Sequence, residues 1–475
     1  MSTFNGVEKF YLTTAIDYIN AKPHIGHAYE KVAADVLARY YSAKLGKDKL
    51  RFLTGTDEHG AKIEKAAEAA KKPLEDFARE TAATFSFAWD QLNVVPDRFI
   101  RTTDQDHIKT VEDLLIKIKD NGYLYESEYE GYYCTACETF YTQTDVPSHI
   151  CPVHNAPLEL IKEKNWFLKI SEFIPKIKKK IETEDFIWPE SAKNEILSWI
   201  EKGFNDIAIS RPNVKWGIPL PWDKTQTVYV WVDALINYVT GAKVNGENWW
   251  PANLHIIGRD ISKFHCIIWP AILLAAGLEM PNKVAVHGYL TVGGKKMSKS
   301  VGNVIDPNEW VIKYGADAVR YLLLREVAFG QDGDVSEEKL KIRYEGELAN
   351  GLGNLVSRIT TLVEKYLDGR VKNVTPFEGD DGVNVMIEEF KFHDALAKIW
   401  EWVAWGNKAV DENKLWELGK SDVKKFEEIS SQVLSCVLTA AIHLRPFLPE
   451  TSQKIQDIIS AEKIVKAEPL FPKII

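Results

Sequence analysis

A β-prone run from Phe10 to Ala15 stops at the turn Asn20-Ala21-Lys22-Pro23, after which Ile25, Ala28, Val32 and Val36 recur at helical spacing. Strand, loop and helix in that order open a doubly wound α/β fold, whose ligands gather at the carboxyl edge of a parallel sheet. A second strand, Leu50 to Thr54, runs into Gly55-Thr56-Asp57-Glu58-His59-Gly60 and so carries polar residues to that edge. Sheet signals resume at Thr227 to Val232, His255 to Ile257 and Val284 to Val286; the aromatic and cysteine-bearing stretch from about Tyr123 therefore reads as an insertion between two halves of one fold. Beyond Gly346, Leu348, Leu352, Leu355, Ile359 and Leu362 form one stripe, and amphipathic segments continue to Leu448, the pattern of a helix bundle. Thr375 to Gly382 is its most loop-like stretch.

The 475 residues exceed what one core organises. The expected fold class is α/β, a doubly wound parallel-sheet (Rossmann-type) domain split by a metal-knuckle insertion and followed by an α-helical bundle. The division is 1–117, first half of the sheet domain; 118–226, insertion; 227–290, second half; 291–345, a loop and connecting region; and 346–475, the bundle. With 45% hydrophobic and 27% charged residues the composition is that of a folded globular protein. The start of the chain has no leader-like segment and no stretch is apolar enough for a span, so a cytoplasmic protein is expected. A net charge of −9 argues against wholesale wrapping of nucleic acid but leaves room for a local basic surface.

Three of five cysteines crowd together as Cys134-x2-Cys137, thirteen residues, then Cys151-x2-His154. Two such pairs supply four ligands to a closed tetrahedral site, which predicts one structural Zn2+. His149 competes, but its spacing to Cys151 is less like a knuckle. Cys266 and Cys436, in apolar runs, read as buried free thiols.

His24-Ile25-Gly26-His27 stands where the loop enters the helix, so free N–H groups and the positive end of the dipole face any bound phosphate. Gly26 allows a nucleotide to approach the backbone, and two imidazoles offer donors to charge building on an α-phosphate. Alone, His-x-x-His is weak evidence. Gly293-Gly294-Lys295-Lys296-Met297-Ser298-Lys299-Ser300 adds glycines before closely spaced lysines and hydroxyls, a loop suited to polyphosphate, although by itself it reads as a solvated basic turn.

Together the two stretches resemble, letter for letter and in order, the signatures of class I aminoacyl-tRNA synthetases. The resemblance implies activation of an amino acid with ATP and Mg2+, then transfer of the acyl group to the terminal adenosine of tRNA. His24, His27, Lys296 and Lys299 are then the catalytic residues; Gly26, Gly258, Asp260 and Met297 join them around ATP. About 270 residues separate the signatures, too few for the hydrolytic editing insertion of the leucine, isoleucine and valine enzymes. The phrases Thr13 to Asn20, Thr54 to Gly60, Tyr229 to Tyr238 and Gly258 to His265 resemble the methionyl-tRNA synthetase family. By that resemblance Ala15, Ile16, Tyr18, Trp231, Ala234, Leu235, Tyr238, Ile261 and His265 line a methionine pocket, and Asp57 meets the substrate ammonium. Aromatic faces suit a polarisable thioether. Asp17 and Trp166 depart from the family pattern, and a carboxylate at Asp17 beside an apolar slot must face solvent or find a partner.

Asn354 and Arg358 lie four apart and off the leucine stripe, and Trp416 offers a stacking surface. The resemblance makes them readers of a CAU anticodon, against the alternatives of a solvated face and a core tryptophan like Trp400 and Trp402. Leu415 stands where the family often has proline. Lys176 to Lys180 reads as a solvated amphipathic face. Pro469-Leu470-Phe471-Pro472 resembles the close of the anticodon domain, without the appended dimerising module of some relatives, so a monomer is expected. A class I enzyme of other specificity, such as a cysteinyl one, and a non-catalytic tRNA-binding paralogue are the competing readings.

Overall fold

The computed structural model describes residues 4, 6–134, 139–141, 146, 148–152, 155–297, 302–378 and 382–474. Strand β1 (Phe10–Thr14) and the two-residue β2 (Asp17–Tyr18) are one strand interrupted. β1 pairs in parallel with β3 (Leu50–Asp57) up to Thr13↔Leu53, and β2 resumes at Asp17↔Thr56, four steps against three. The extra residue makes a bulge at Ala15-Ile16, which turns side chains out of the ladder at the carboxyl edge. Helix α1 (Ile25–Leu45) follows, and β4 (Arg98–Arg101) pairs with β3 on its other side.

In the inserted region β5 (Leu124–Cys134), β6 (Thr139–Tyr141) and β7 (Glu159–Leu168) form an antiparallel sheet. β8 (Ile187–Trp188), within the span 118–226, pairs instead with the parallel sheet, whereas β9 (Ile207–Ala208) joins β7. The parallel sheet is completed by β10 (Leu254–Gly258) and β11 (Lys283–His287), giving the order β2-β3-β1-β10-β11-β8, with β4 on β3.

One expectation fails. Thr227 to Val232 is not a strand of this sheet: the strand Asp223–Val228 belongs to a separate three-stranded sheet, and helix α2 (Val230–Gly241) begins at Val230. Almost every residue of α2 is buried, so the apolar run carries no helical period by which to recognise it.

Beyond a π-helical stretch at Tyr344–Gly353 the bundle comprises α3 (Asn354–Leu367), α4 (Phe392–Glu412), α5 (Leu415–Ser421) and α6 (Val423–Leu444). Leu348, Leu352, Leu355 and Ile359 are buried as the stripe predicts, while Leu362, Trp400 and Trp402 pack at the margin of the core. Cys266 and Cys436 are buried thiols, and the helix Ile174–Thr183 buries Ile177 and Ile181 beneath its lysines. Among the described residues no helix is long and apolar enough to cross a membrane.

Two polar joints hold the parts together. Arg320 is wholly buried; it pairs with Asp35 of α1 at 2.7 Å and donates to the carbonyls of Phe447, Pro446 and Leu92. At the far end of α1, Tyr40 and Lys44 both reach Glu388 of the bundle.

A third joint lies under the site. Asp233 of α2 receives His59 Nδ1 at 2.6 Å on one carboxylate oxygen and His107 Nε2 at 2.8 Å on the other; His107 Nδ1 contacts Thr240 at 3.0 Å. Burial works to raise the Asp233 carboxyl, but the two imidazoles outweigh it and hold it at about 2. A carboxyl depressed in the folded state stabilises fully above its unfolded value near 3.8 and loses that contribution as pH falls towards 2. Asp233→Asn is therefore expected to cost ~2 kcal/mol at neutral pH. In urea denaturation the gap from the parent should narrow progressively below pH 4.

Candidate active site

Helix α1 begins as the sequence requires. His24 is its N-cap; its Nδ1 accepts from the Gly26 N–H at 3.1 Å, and His27 Nδ1 accepts from the His24 N–H at 3.1 Å, a reciprocal capping box built from imidazoles. An accepting Nδ1 leaves the proton of a neutral ring on Nε2, so the cap itself selects one tautomer in both histidines. The rings stack 3.7 Å apart. Burial, helped by the charges of His24 and Lys31, keeps His27 well below the usual imidazole range.

The second signature approaches this turn. Leu290–Val292 and Lys295–Lys296 pair as a hairpin, with Gly293 and Gly294 both at positive φ, the two-residue turn that only glycine-like residues adopt without strain. Asp334 on the neighbouring strand accepts from the Gly294 N–H at 2.6 Å. Met297 then lies against Gly26: a Cβ built at Gly26 would stand 2.9 Å from the Met297 methyl and 3.0 Å from the His24 ring. Lys299, with Ser298 and Ser300, lies outside the described residues, as does the side chain of Lys296.

Gly258 ends β10, where a Cβ would meet Asp260 at 2.8 Å and His287 at 3.5 Å. Asp260 itself is exposed. A cavity of about 220 Å³ opens beside them, lined by Arg259, His287, Gly288, Gln331 and Asp332 among others.

The residues expected around methionine converge from four elements. Ala15 and Ile16 form the bulge, and Tyr18 and Asp57 are direct neighbours across β2 and β3. Trp231, Ala234, Leu235 and Tyr238 come from α2. Ile261 and His265 flank the start of a π-helical turn, Phe264–Ile268, a geometry frequent at functional sites. His265 Nδ1 donates to the Ile261 carbonyl at 3.0 Å, so Nε2 accepts from the Tyr238 hydroxyl at 2.7 Å. Burial lowers His265 to about 4, leaving it neutral at physiological pH.

Several residues of the site were not singled out in the sequence. Phe264 stacks on Trp231 at 3.9 Å. Trp216, from the inserted region, donates to the Glu58 carbonyl and crosses His59 edge to face at 5.4 Å. Glu58 is held by Arg101, Thr56 and Thr103, which fixes the backbone next to Asp57. Asp17 does find its partner, the buried ammonium of Lys31 at 2.8 Å. Long-range pairing of this kind leaves no local pattern in a sequence.

Of the predicted metal ligands, Cys134 and Cys151 are buried, Cys134 at the end of β5 and Cys151 in a turn closed by its own carbonyl to Asn155 N–H and its N–H to the Ala156 carbonyl. Cys137 and His154 lie outside the described residues, and among the described residues no group of three ligands assembles. His149 stacks on Tyr132 and contacts its hydroxyl at 2.8 Å.

In the bundle, Arg358 lies 5.9 Å from the Trp416 ring and pairs with Asp411; Asn354 and Trp416 are exposed. Leu415 is buried, and Tyr366 donates to the Trp416 carbonyl at 3.1 Å, so α5 is anchored without proline.

The family model of class I tRNA synthetases (M) matches residues 10–157 and 148–360. The methionine–tRNA ligase of Thermotoga maritima is 40% identical over 507 residues, 98% of this chain and 80% of that protein. The Streptomyces coelicolor enzyme is 38% identical over 96% of this chain and 90% of its own. Mycobacterium tuberculosis methionyl-tRNA synthetase in complex with methionyl-adenylate superposes with a TM-score of 0.89 at 38% identity, covering 95% of this chain and 94% of that one. Its apo form gives 0.80 at 33% identity over 98% and 96%. With both signatures meeting at Gly26 and a likeness that runs over nearly its whole length, this chain belongs to the methionine–tRNA ligase family of class I tRNA synthetases.

Proposed function

We infer that the chain activates methionine with ATP, giving methionyl-adenylate and pyrophosphate, and then transfers the methionyl group to the terminal adenosine of methionine tRNA. The observation that carries this reading is the approach of Met297 to Gly26 at the N-terminus of α1, which supports a role for the second signature beside the imidazole pair. The Nε2 protons of His24 and His27 donate to the α-phosphate as charge accumulates during carboxylate attack. Lys296 and Lys299 neutralise the departing pyrophosphate. Adenosine rests over Gly258 with Asp260 near the ribose, a reading supported by the close surroundings of Gly258, where a Cβ would meet Asp260 and His287. Mg2+ accompanying ATP supplies further neutralisation of phosphate charge.

Asp57 receives the methionine ammonium, and Ala15, Ile16, Tyr18, Ala234, Leu235 and Ile261 give the slot its length. Trp231 faces the thioether. Neutral His265 with the Tyr238 hydroxyl closes its floor without presenting a charge. Zinc would be held by Cys134, Cys137, Cys151 and His154, and the burial of both described thiols fits that donor set. Its chemistry there is structural. Asn354, Arg358 and Trp416 read the CAU anticodon, a reading supported by the exposure of Asn354 and Trp416 and by the half-buried Arg358 lying over the Trp416 ring. The five-part division at 117, 226, 290 and 345, a cytoplasmic location and a monomeric state complete the proposal.

Pyrophosphate exchange measured with each amino acid tests the specificity: methionine alone should support it, and exchange dependent on cysteine would overturn the assignment. Lys299→Ala should slow exchange ~100-fold, the worth of one lost contact to developing charge. Trp416→Ala should lower charging of methionine tRNA ~10-fold while leaving exchange unaltered, and equal loss in both assays would make Trp416 structural.

A further inference from the structure

We propose that Lys31 is a positioning residue of the methionine pocket: its buried ammonium registers the bulge Ala15–Tyr18 onto helix α1. The inference rests on the pocket assignment above and names a residue outside it. Lys31 lies about two turns into α1, 1% exposed, and spends all three of its donors inside the protein. They reach the Ala15 carbonyl, Asp17 Oδ1 and Glu30 Oε1, each at 2.8 Å. The first bond lies in the bulge, where ladder pairing between the first strand and β3 stops at Thr13 and restarts at Asp17. The Ala15 N–H donates to the Ile256 carbonyl of β10, and the Ala15 carbonyl accepts from the Thr14 hydroxyl at 3.0 Å and from Lys31 of the helix. Asp17, on the far side of the bulge, is gripped by the same ammonium. One side chain thus pins both ends of the segment that forms the pocket wall to the helix whose N-cap carries His24 and His27.

Its surroundings carry further charge. Glu30 Oε2 lies 3.2 Å from His287 Nε2, and His287 in turn borders Gly258 on the nucleotide side. Trp89 places its ring 6.0 Å from the Lys31 ammonium. Two carboxylates share one ammonium, and Asp17 Oδ2 is buried with no hydrogen-bond partner, so Asp17 is the more weakly held of the two. Burial, only partly offset by Lys31, raises Asp17 to about 7.

Two roles for Lys31 make different predictions: registering the bulge through the Ala15 bond, or balancing the charge of Asp17. Lys31→Met and the double variant Lys31→Met/Asp17→Asn separate them, with KM for methionine, KM for ATP and kcat read from pyrophosphate exchange, and thermal midpoints read in parallel. Under registration the double variant regains part of the stability lost by Lys31→Met, because Asp17 no longer stands unbalanced, while Glu30 keeps His287 as its partner. Its KM for methionine nevertheless stays raised ~10-fold, the worth of a charge-assisted bond to the Ala15 carbonyl, while its KM for ATP moves less than about threefold. Wild-type KM for methionine in the double variant would overturn the proposal, as would a fall in kcat with both KM values unchanged. Should Lys31→Met fail to fold, the double variant alone decides. Failure of the parent protein to exchange pyrophosphate with methionine would strike the functional reading instead, and is seen separately.

Discussion

The site depends on β1 lying between β3 and β10 in parallel register. Because all three strands run the same way, the residues that follow them emerge at one edge: the bulge and α1 after β1, Asp57 to Gly60 at the end of β3, and Gly258 to Ile261 at the end of β10. Segments more than 200 residues apart in sequence thereby enclose one space. A parallel sheet must be covered on both faces, and the helices that pack on this one, α1 and α2, are also those that carry the imidazole pair and Trp231, Ala234, Leu235 and Tyr238.

Polarity within the site is graded. At the N-terminus of α1 stand imidazole donors whose tautomer is set by helix capping. Between α2 and the π-helical turn the Tyr238 hydroxyl donates to His265, whose imidazole is held neutral by burial. Charges sit one layer further back, in the Asp233 cluster and around Lys31. The buried charges of the Asp233 cluster and of Lys31 act on the backbone around the proposed slot, which leaves Asp57 as the carboxylate proposed to meet the substrate ammonium.

What could be read in the sequence was local. A strand that ends in a turn and a capped helix, glycines before a cluster of lysines, and a leucine stripe all declare themselves within a few residues; the strand, the capped helix, the glycine turn and the buried Leu348, Leu352 and Leu355 stand where their patterns imply. Helix α2 was misread because burial on all sides removes the period that separates helix from strand. The Asp233 cluster joins residues from three separate stretches, and Lys31 meets Asp17 fourteen residues away only once β2 joins the sheet. Partners chosen across the fold are written in the sequence only as single unremarkable residues. For the same reason Asp17, noted as out of place beside an apolar slot, pointed to a missing cation without naming it.

Helix α1 has 21 residues, a rod of ~30 Å at the ordinary rise. Its first turn is the imidazole cap, its middle is clasped by Arg320, and its last turn touches Glu388 of the bundle. A hydrogen-bonded helix is stiff along its axis, so the phosphate end and the bundle end keep a constant separation. Any tilt of the bundle against the sheet must either break the contacts of Arg320 and Glu388 or swing the imidazole pair by the same angle. The distance between the imidazole cap and the contact with the bundle is in that sense built into a single element, in the way a connecting rod sets the stroke of the parts it joins.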